Sequence, residues 1–186
     1  MVSEPSSKYT PMFLIAIPQL GDPNFVRSVV LMLHHGPEGA LGLVVNHPTT
    51  LTLGVFAREH GLPCHSSAKE QPIFKGGPVE PTRGWILHGD GSIGEKQDVI
   101  PGLHVSGSVD TLTSLIADGS KPMRLLLGYA GWGPGQLESE MERGSWLTVE
   151  ADAKHVLATP PQDCWNAVLR EMGVDPTRLA LGHGIH

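Results

Sequence analysis

Cysteine is scarce in this 186-residue chain: Cys64 and Cys164 stand a hundred residues apart, with no C-x-x-C pair. Two reduced thiols are the expected state, with a redox-sensitive pair as the alternative. Long apolar runs are also missing. None approaches the ~20 residues of a membrane-spanning helix. Residues 1–10 lack the charged-then-apolar pattern of a secretory leader. They read as a flexible lead-in to one domain over 11–186. The expectation is a cytoplasmic protein with no membrane attachment. Basic runs are absent too. Net charge is −6, and the acidic excess sits in the second half. Affinity for DNA comes largely from Lys and Arg neutralising phosphates. The balance therefore disfavours direct DNA contact, leaving only a small basic patch assembled in three dimensions.

The catalytic signatures are missing as well. There is no G-x-S-x-G, no H-E-x-x-H, no phosphate-loop lysine and no kinase set. The ten histidines fall in no metal-ligand spacing. His34 and His35 are neighbours on a predicted strand and so point to opposite faces. His183 and His186 suit only adventitious metal. No metal and no cofactor are expected, and the reading leans away from an enzyme.

What the chain does have is glycine and proline, 39 residues together, scattered through apolar segments as turns and bends. Short apolar or β-branched runs predict strands at 12–17, 26–35, 40–46, 72–74, 84–88, 103–106, 123–129 and 145–149, with a further one at 154–157. Residues 26–46 form a hairpin about the Gly-Pro-Glu-Gly turn at 36–39. Thr52 and Ser108 are placed to cap helices, the second running to Asp118 before Gly119. Further helices are expected at 136–143 and 163–172, and an irregular tail after Gly173. Strands and helices do not alternate regularly. That pattern favours a single α+β domain with a largely antiparallel sheet.

Two dense turns stand out. Gly131-Trp132-Gly133-Pro134-Gly135 lies between a strand and an acidic helix, but its G-x-G-x-G spacing misses the dinucleotide G-x-G-x-x-G. It carries no Lys or Arg, and Glu138, Glu140 and Glu142 oppose an anion. A tight strand-to-helix turn explains it better, with Pro134 near the first helical position and Trp132 exposed. In the other turn, Gly76-Gly77 lets the backbone approach either a ligand or another strand, and Arg83 is the nearest anion partner. If the two turns serve one site, the fold must bring them together.

The wording of several segments goes further. FLIAIPQLGDPNF (13–25) with RSVV (27–30), GPEGALGLVVN (36–46), GGPV (76–79) with Arg83-Gly84 and Leu87-His88, and LGYAGWGPGQLE (127–138) occur in order. Together they resemble the YqgE/AlgH family, also called UPF0301. The resemblance spans about residues 13–173. It implies a compact α+β fold with a bifurcated, barrel-like antiparallel sheet and flanking helices. It implies no established activity, only a transcriptional-regulator label on some members. His47 departs from the family wording, which has Arg or Lys between Asn46 and Pro48. Within the signature, Tyr129 and Trp132 suggest a recognition surface as well as a turn. The candidate binding residues are Asn46, Gly76, Gly77, Arg83, Tyr129, Trp132 and Gly133. The expected function is a non-enzymatic regulatory or adaptor protein with an unknown protein or small-molecule partner. The alternative is a small-ligand or nucleotide-binding protein, or an enzyme, using the two turns together.

Overall fold

The computed structural model describes residues 11–181. The predicted lead-in over 1–10, and His183 and His186, lie outside the described residues. The early hairpin forms as expected. β2 (Val29–Gly36) and β3 (Gly39–Val44) pair antiparallel, with Gly36 opposite Gly39, so only Pro37 and Glu38 make the turn. On the other side of β2 lie β1 (Met12–Ala16) and then β10 (Trp146–Glu150), both antiparallel.

The organising element is β9 (Met123–Trp132). Its first half pairs antiparallel with β6 (Val79–His88) and parallel with β5 (Pro72–Lys75). Its last three residues, Ala130, Gly131 and Trp132, pair with β3. The sheet divides at Gly128, where φ is 79° and the side-chain alternation is reset. β8 (Leu103–Ser106) and β7 (Gln97–Ile100) extend the β6 side, and β4 (Pro48–Thr52) pairs with β5. The result is a curled, largely antiparallel sheet of half-barrel form, an α+β fold.

Side-chain alternation then sorts the core. One sheet face carries Phe13, Ile15, Leu31, Leu43, Leu87 and Leu126. It is covered by Trp165, Val168 and Leu169 of α5 (Pro161–Glu171) and by Leu179 of α6 (Pro176–Ala180). The Trp165 indole donates to the Ala16 carbonyl at 2.9 Å, fixing α5 to β1. The opposite face holds two smaller clusters. One packs Trp132 and Trp146 with Leu137 of α3 (Gln136–Glu142). The other packs Ile86 and Leu125 under α1 (Leu53–Glu59) and α2 (Val109–Asp118). Each fully buried Leu, Ile or Phe contributes ~1.5–3 kcal/mol.

The caps behave as the sequence predicts. Thr52 and Ser108 accept from Val55 and Thr111, and Gly119 closes α2 in the left-handed region. Several expectations fail. Residues 154–157 belong to a helix, α4 (Ala153–Leu157), because Asp152 caps it by accepting from the Lys154 N–H. The tail contains α6, capped likewise by Asp175. β4 and β7 form where no strand was expected. No helix among the described residues is long and apolar enough to cross a membrane.

Candidate functional site

The Gly76-Gly77 turn packs against β9 at Gly128–Ala130, just before the second glycine-rich turn. Gly76 bridges the sheet branches: its N–H donates to the Leu127 carbonyl and its carbonyl accepts from Val44 N–H, both at 2.8 Å. Gly77 (φ 154°) lies so close to β9 that an added Cβ would stand 2.1 Å from the Tyr129 carbonyl carbon. From the other side, a Cβ on Gly128 would stand 2.4 Å from the Gly77 carbonyl oxygen. The close approach that Gly76-Gly77 permits is thus to the β9 backbone.

Beyond this crossing, β6 leaves its register. Val79 pairs with Tyr129, but the next paired residue is Gly84, opposite Leu127. Glu80, Pro81, Thr82 and Arg83 therefore bulge out of the ladder between them. Glu80 holds φ at 44°, a left-handed conformation that costs a non-glycine residue ~1–3 kcal/mol. The bulge folds Arg83 back over its own strand. Its guanidinium carbon lies 4.4 Å from the Trp85 ring centroid and 5.7 Å from that of Tyr129. The two rings meet edge to face at 6.1 Å. Glu80 completes the group with an ion pair to Arg83 at 3.3 Å. Hydrogen bonding to the Glu80 carboxylate pushes the Tyr129 phenol above its ordinary pKa; desolvation and the Glu80 charge add to this, and Arg83 opposes it. Arg83 and Glu80 are both about half exposed, so the charges face solvent while the rings reach the core. Beside them a shallow cleft of about 360 Å³ runs between His34, Glu38, Val79, Tyr129 and Trp132, with Gly39 and Gly131 among its lining residues.

Trp132 was expected at an exposed turn, but it is 6% exposed. β9 continues through it, and its indole donates to Glu140 Oε2 at 3.0 Å. The Trp146 indole donates to the same oxygen at 2.8 Å, and Phe25 packs on both rings. Glu140 thus anchors two tryptophans instead of lying on a purely solvated helix face. Gly133 N–H is taken by Gln136 Oε1 at 3.1 Å. The glycine turn therefore carries an internal partner where a phosphate loop would leave its amide free.

Asn46 is engaged elsewhere. Its Oδ1 accepts from Val29 N–H and its Nδ2 donates to the Arg27 carbonyl, each at 2.9 Å. It thereby holds the left-handed backbone of Arg27 (φ 52°). His47 is within 3.2 Å of Ser28 Oγ and 3.1 Å of the Val26 carbonyl. Burial pushes its pKa down, aided by Lys75 and opposed by the Val26 bond. His34 and His35 take separate partners, Glu38 and Glu138, as opposite strand faces require. Both cysteines are free thiols, Cys164 buried and Cys64 half-buried. Among the described residues no cluster of three or more His, Cys, Asp or Glu side chains is arranged to hold a metal ion. Glu80 and Trp85 were not singled out from the sequence. The sequence carried no signal for either, because Arg83 reaches Trp85 from a bulge outside the strand alternation.

Comparison with known proteins bears on the whole chain. A family model described as AlgH-like matches residues 13–177. A UPF0301 protein of Myxococcus xanthus (strain DK1622) is 51% identical over 176 residues, covering 95% of this chain and 97% of that protein. A UPF0301 protein of Bordetella petrii is 42% identical, covering 97% and 90%. The solution structure of the AlgH protein from Pseudomonas aeruginosa is similar, with a TM-score of 0.73 and 33% identity over the whole of both chains. A crystal structure of a Corynebacterium diphtheriae protein shares the fold, with a TM-score of 0.68 at 22% identity, covering 94% of this chain and 91% of that one.

Proposed function

The chain belongs to the AlgH-like family, and on that premise we propose that it is a non-enzymatic regulatory or adaptor protein. It binds a protein partner through the surface built by Glu80, Arg83, Trp85 and Tyr129. One observation carries this reading: Arg83 is held, still exposed, over two aromatic rings by a strained bulge. Arg, Tyr and Trp are the side chains most enriched at binding hot spots. Fixing them in advance lowers the ordering cost of association. The strain at Glu80 has no role in the ladder it interrupts, and it fits a surface whose shape is used.

A small ligand is the second reading, favoured by the adjoining cleft of about 360 Å³, a size within the range of ligand pockets. Direct DNA contact, which the family's regulator label suggests, is opposed by the net charge of −6. The test is a photo-crosslinking residue in place of Val79, which borders the bulge, expressed in the native host. The expected result is one discrete protein adduct, lost when Arg83→Ala is added. No adduct, or one indifferent to Arg83→Ala, contradicts the proposal.

A further inference from the structure

Arg124 is a cation inside the core. It is 8% exposed and makes no ion pair among the described residues. Its guanidinium lies on the Phe74 ring, 4.6 Å from the centroid. Nη1 donates to the Val45 carbonyl at 2.9 Å and Nη2 to the Thr159 carbonyl at 3.0 Å. The neighbouring thiol supplies no counter-charge. Burial pushes Cys164 up to about 11 against the pull of Arg124, so it stays neutral. A buried charge without an opposite charge is among the costlier features a core can hold. Two carbonyl bonds use two of five guanidinium donors. Nε carries no protein hydrogen bond among the described residues.

A cleft of about 240 Å³ opens onto this group. Its walls include Pro72, Phe74, Pro122, Leu157 and Pro161, and Gln71 is the other polar side chain lining it. Pro161 is the first residue of the eleven-residue α5, whose N-cap, Pro160, offers no side-chain acceptor. The positive end of that helix therefore borders the same space. Asp163 in its first turn is exposed and makes no ion pair with Arg124. The cleft therefore combines an uncompensated cation, an uncapped helix end and apolar walls.

From this geometry we infer that the cleft is a binding site for a small organic carboxylate, its anionic head on Arg124 and its apolar body against Phe74, Leu157 and the prolines. The site is separate from the Arg83 surface and does not rest on the reading given for it. A carboxylate accepts two guanidinium donors, and the walls suit a short alkyl or ring body better than a bare, strongly hydrated phosphate.

The test is titration of the ¹⁵N-labelled chain with hexanoate, hexanol or inorganic phosphate, with chloride held constant. Hexanoate is expected to shift the Arg124, Phe74 and Leu157 amides saturably, and hexanol to bind at least ten-fold more weakly. Arg124→Met should abolish the preference for hexanoate. Should that variant fail to fold, Leu157→Trp fills the cleft while leaving the charge in place, and should block hexanoate. Equal binding of hexanoate and hexanol would overturn the role of Arg124. Binding of phosphate alone would overturn the carboxylate assignment. No saturable binding of any probe, or hexanoate binding unchanged in Leu157→Trp, would reduce Arg124 to a structural clamp between β9, Val45 and Thr159.

Discussion

At the scale of single residues, the structure separates side chains that hold the fold from those left to act. Trp132 looked like a recognition residue because it is an aromatic in a glycine turn. Its indole is instead a buried donor, sharing one oxygen of Glu140 with Trp146. The sequence could not reveal this, since Glu140 reads as one more acid on an exposed helix face. Replacing it strands two donors at once. Each unsatisfied buried polar group costs ~1–3 kcal/mol, so Glu140→Ala should lower the free energy of unfolding by about 3 kcal/mol in a urea titration. Glu140→Gln keeps an acceptor and should lose clearly less. Equal losses in the two variants would contradict the shared-acceptor role.

At the scale of elements, much was legible where local chemistry decides. The 103–106 strand, the Ser108 cap and the Gly36–Gly39 hairpin needed only periodicity, a capping hydroxyl and a turn. β4 and β7 were not legible. Pro-Thr-Thr-Leu-Thr and Gln-Asp-Val-Ile have mostly exposed or half-buried side chains, so pairing and not patterning makes them strands. At α4, β-propensity misled, and the cap at Asp152 was the better signal. The bulge between Val79 and Gly84 was also invisible, because it exists only relative to the register with β9. The crossing beneath it is testable. Gly77→Ala combines a positive φ with a backbone clash at 2.1 Å, and should cost about 3 kcal/mol or more. Gly131→Ala meets only ordinary contacts, the nearest being Tyr129 Cε2 at 3.4 Å. It should leave the urea midpoint nearly unchanged.

At the scale of the whole molecule, long-range pairing through β9 joins the two motifs that the sequence showed as separate turns. The family resemblance implied a bifurcated sheet, but the division at Gly128 depends on three strands meeting from distant parts of the chain. Global stability should also carry a histidine signature. His88 is fully buried, with Asp90 N–H donating to its Nδ1 and no partner on Nε2 among the described residues. Burial pushes its pKa down, with His104 and Lys96 adding to the shift and Asp90 opposing it. The His47 pKa is lowered too. Both bind protons more weakly folded than unfolded, so protonation favours the unfolded chain. Their contribution is complete above the unfolded value of ~6.5 and is lost as pH falls through the folded pKa. Urea midpoints should decline from pH 7.5 to pH 5.5, with a shallower slope in His88→Phe. A flat profile would contradict the assignment. The central claim, a partner bound through the Arg83 surface, is tested most directly by native mass spectrometry of the protein purified gently from its host, alongside Arg83→Ala. Arg83 is exposed, and its cation–π contact is worth only ~0.5–1 kcal/mol, so the variant should remain folded. The expected result is a stoichiometric partner mass on the original chain and a bare Arg83→Ala chain. Two bare chains, or a partner retained by both, would contradict the proposed role.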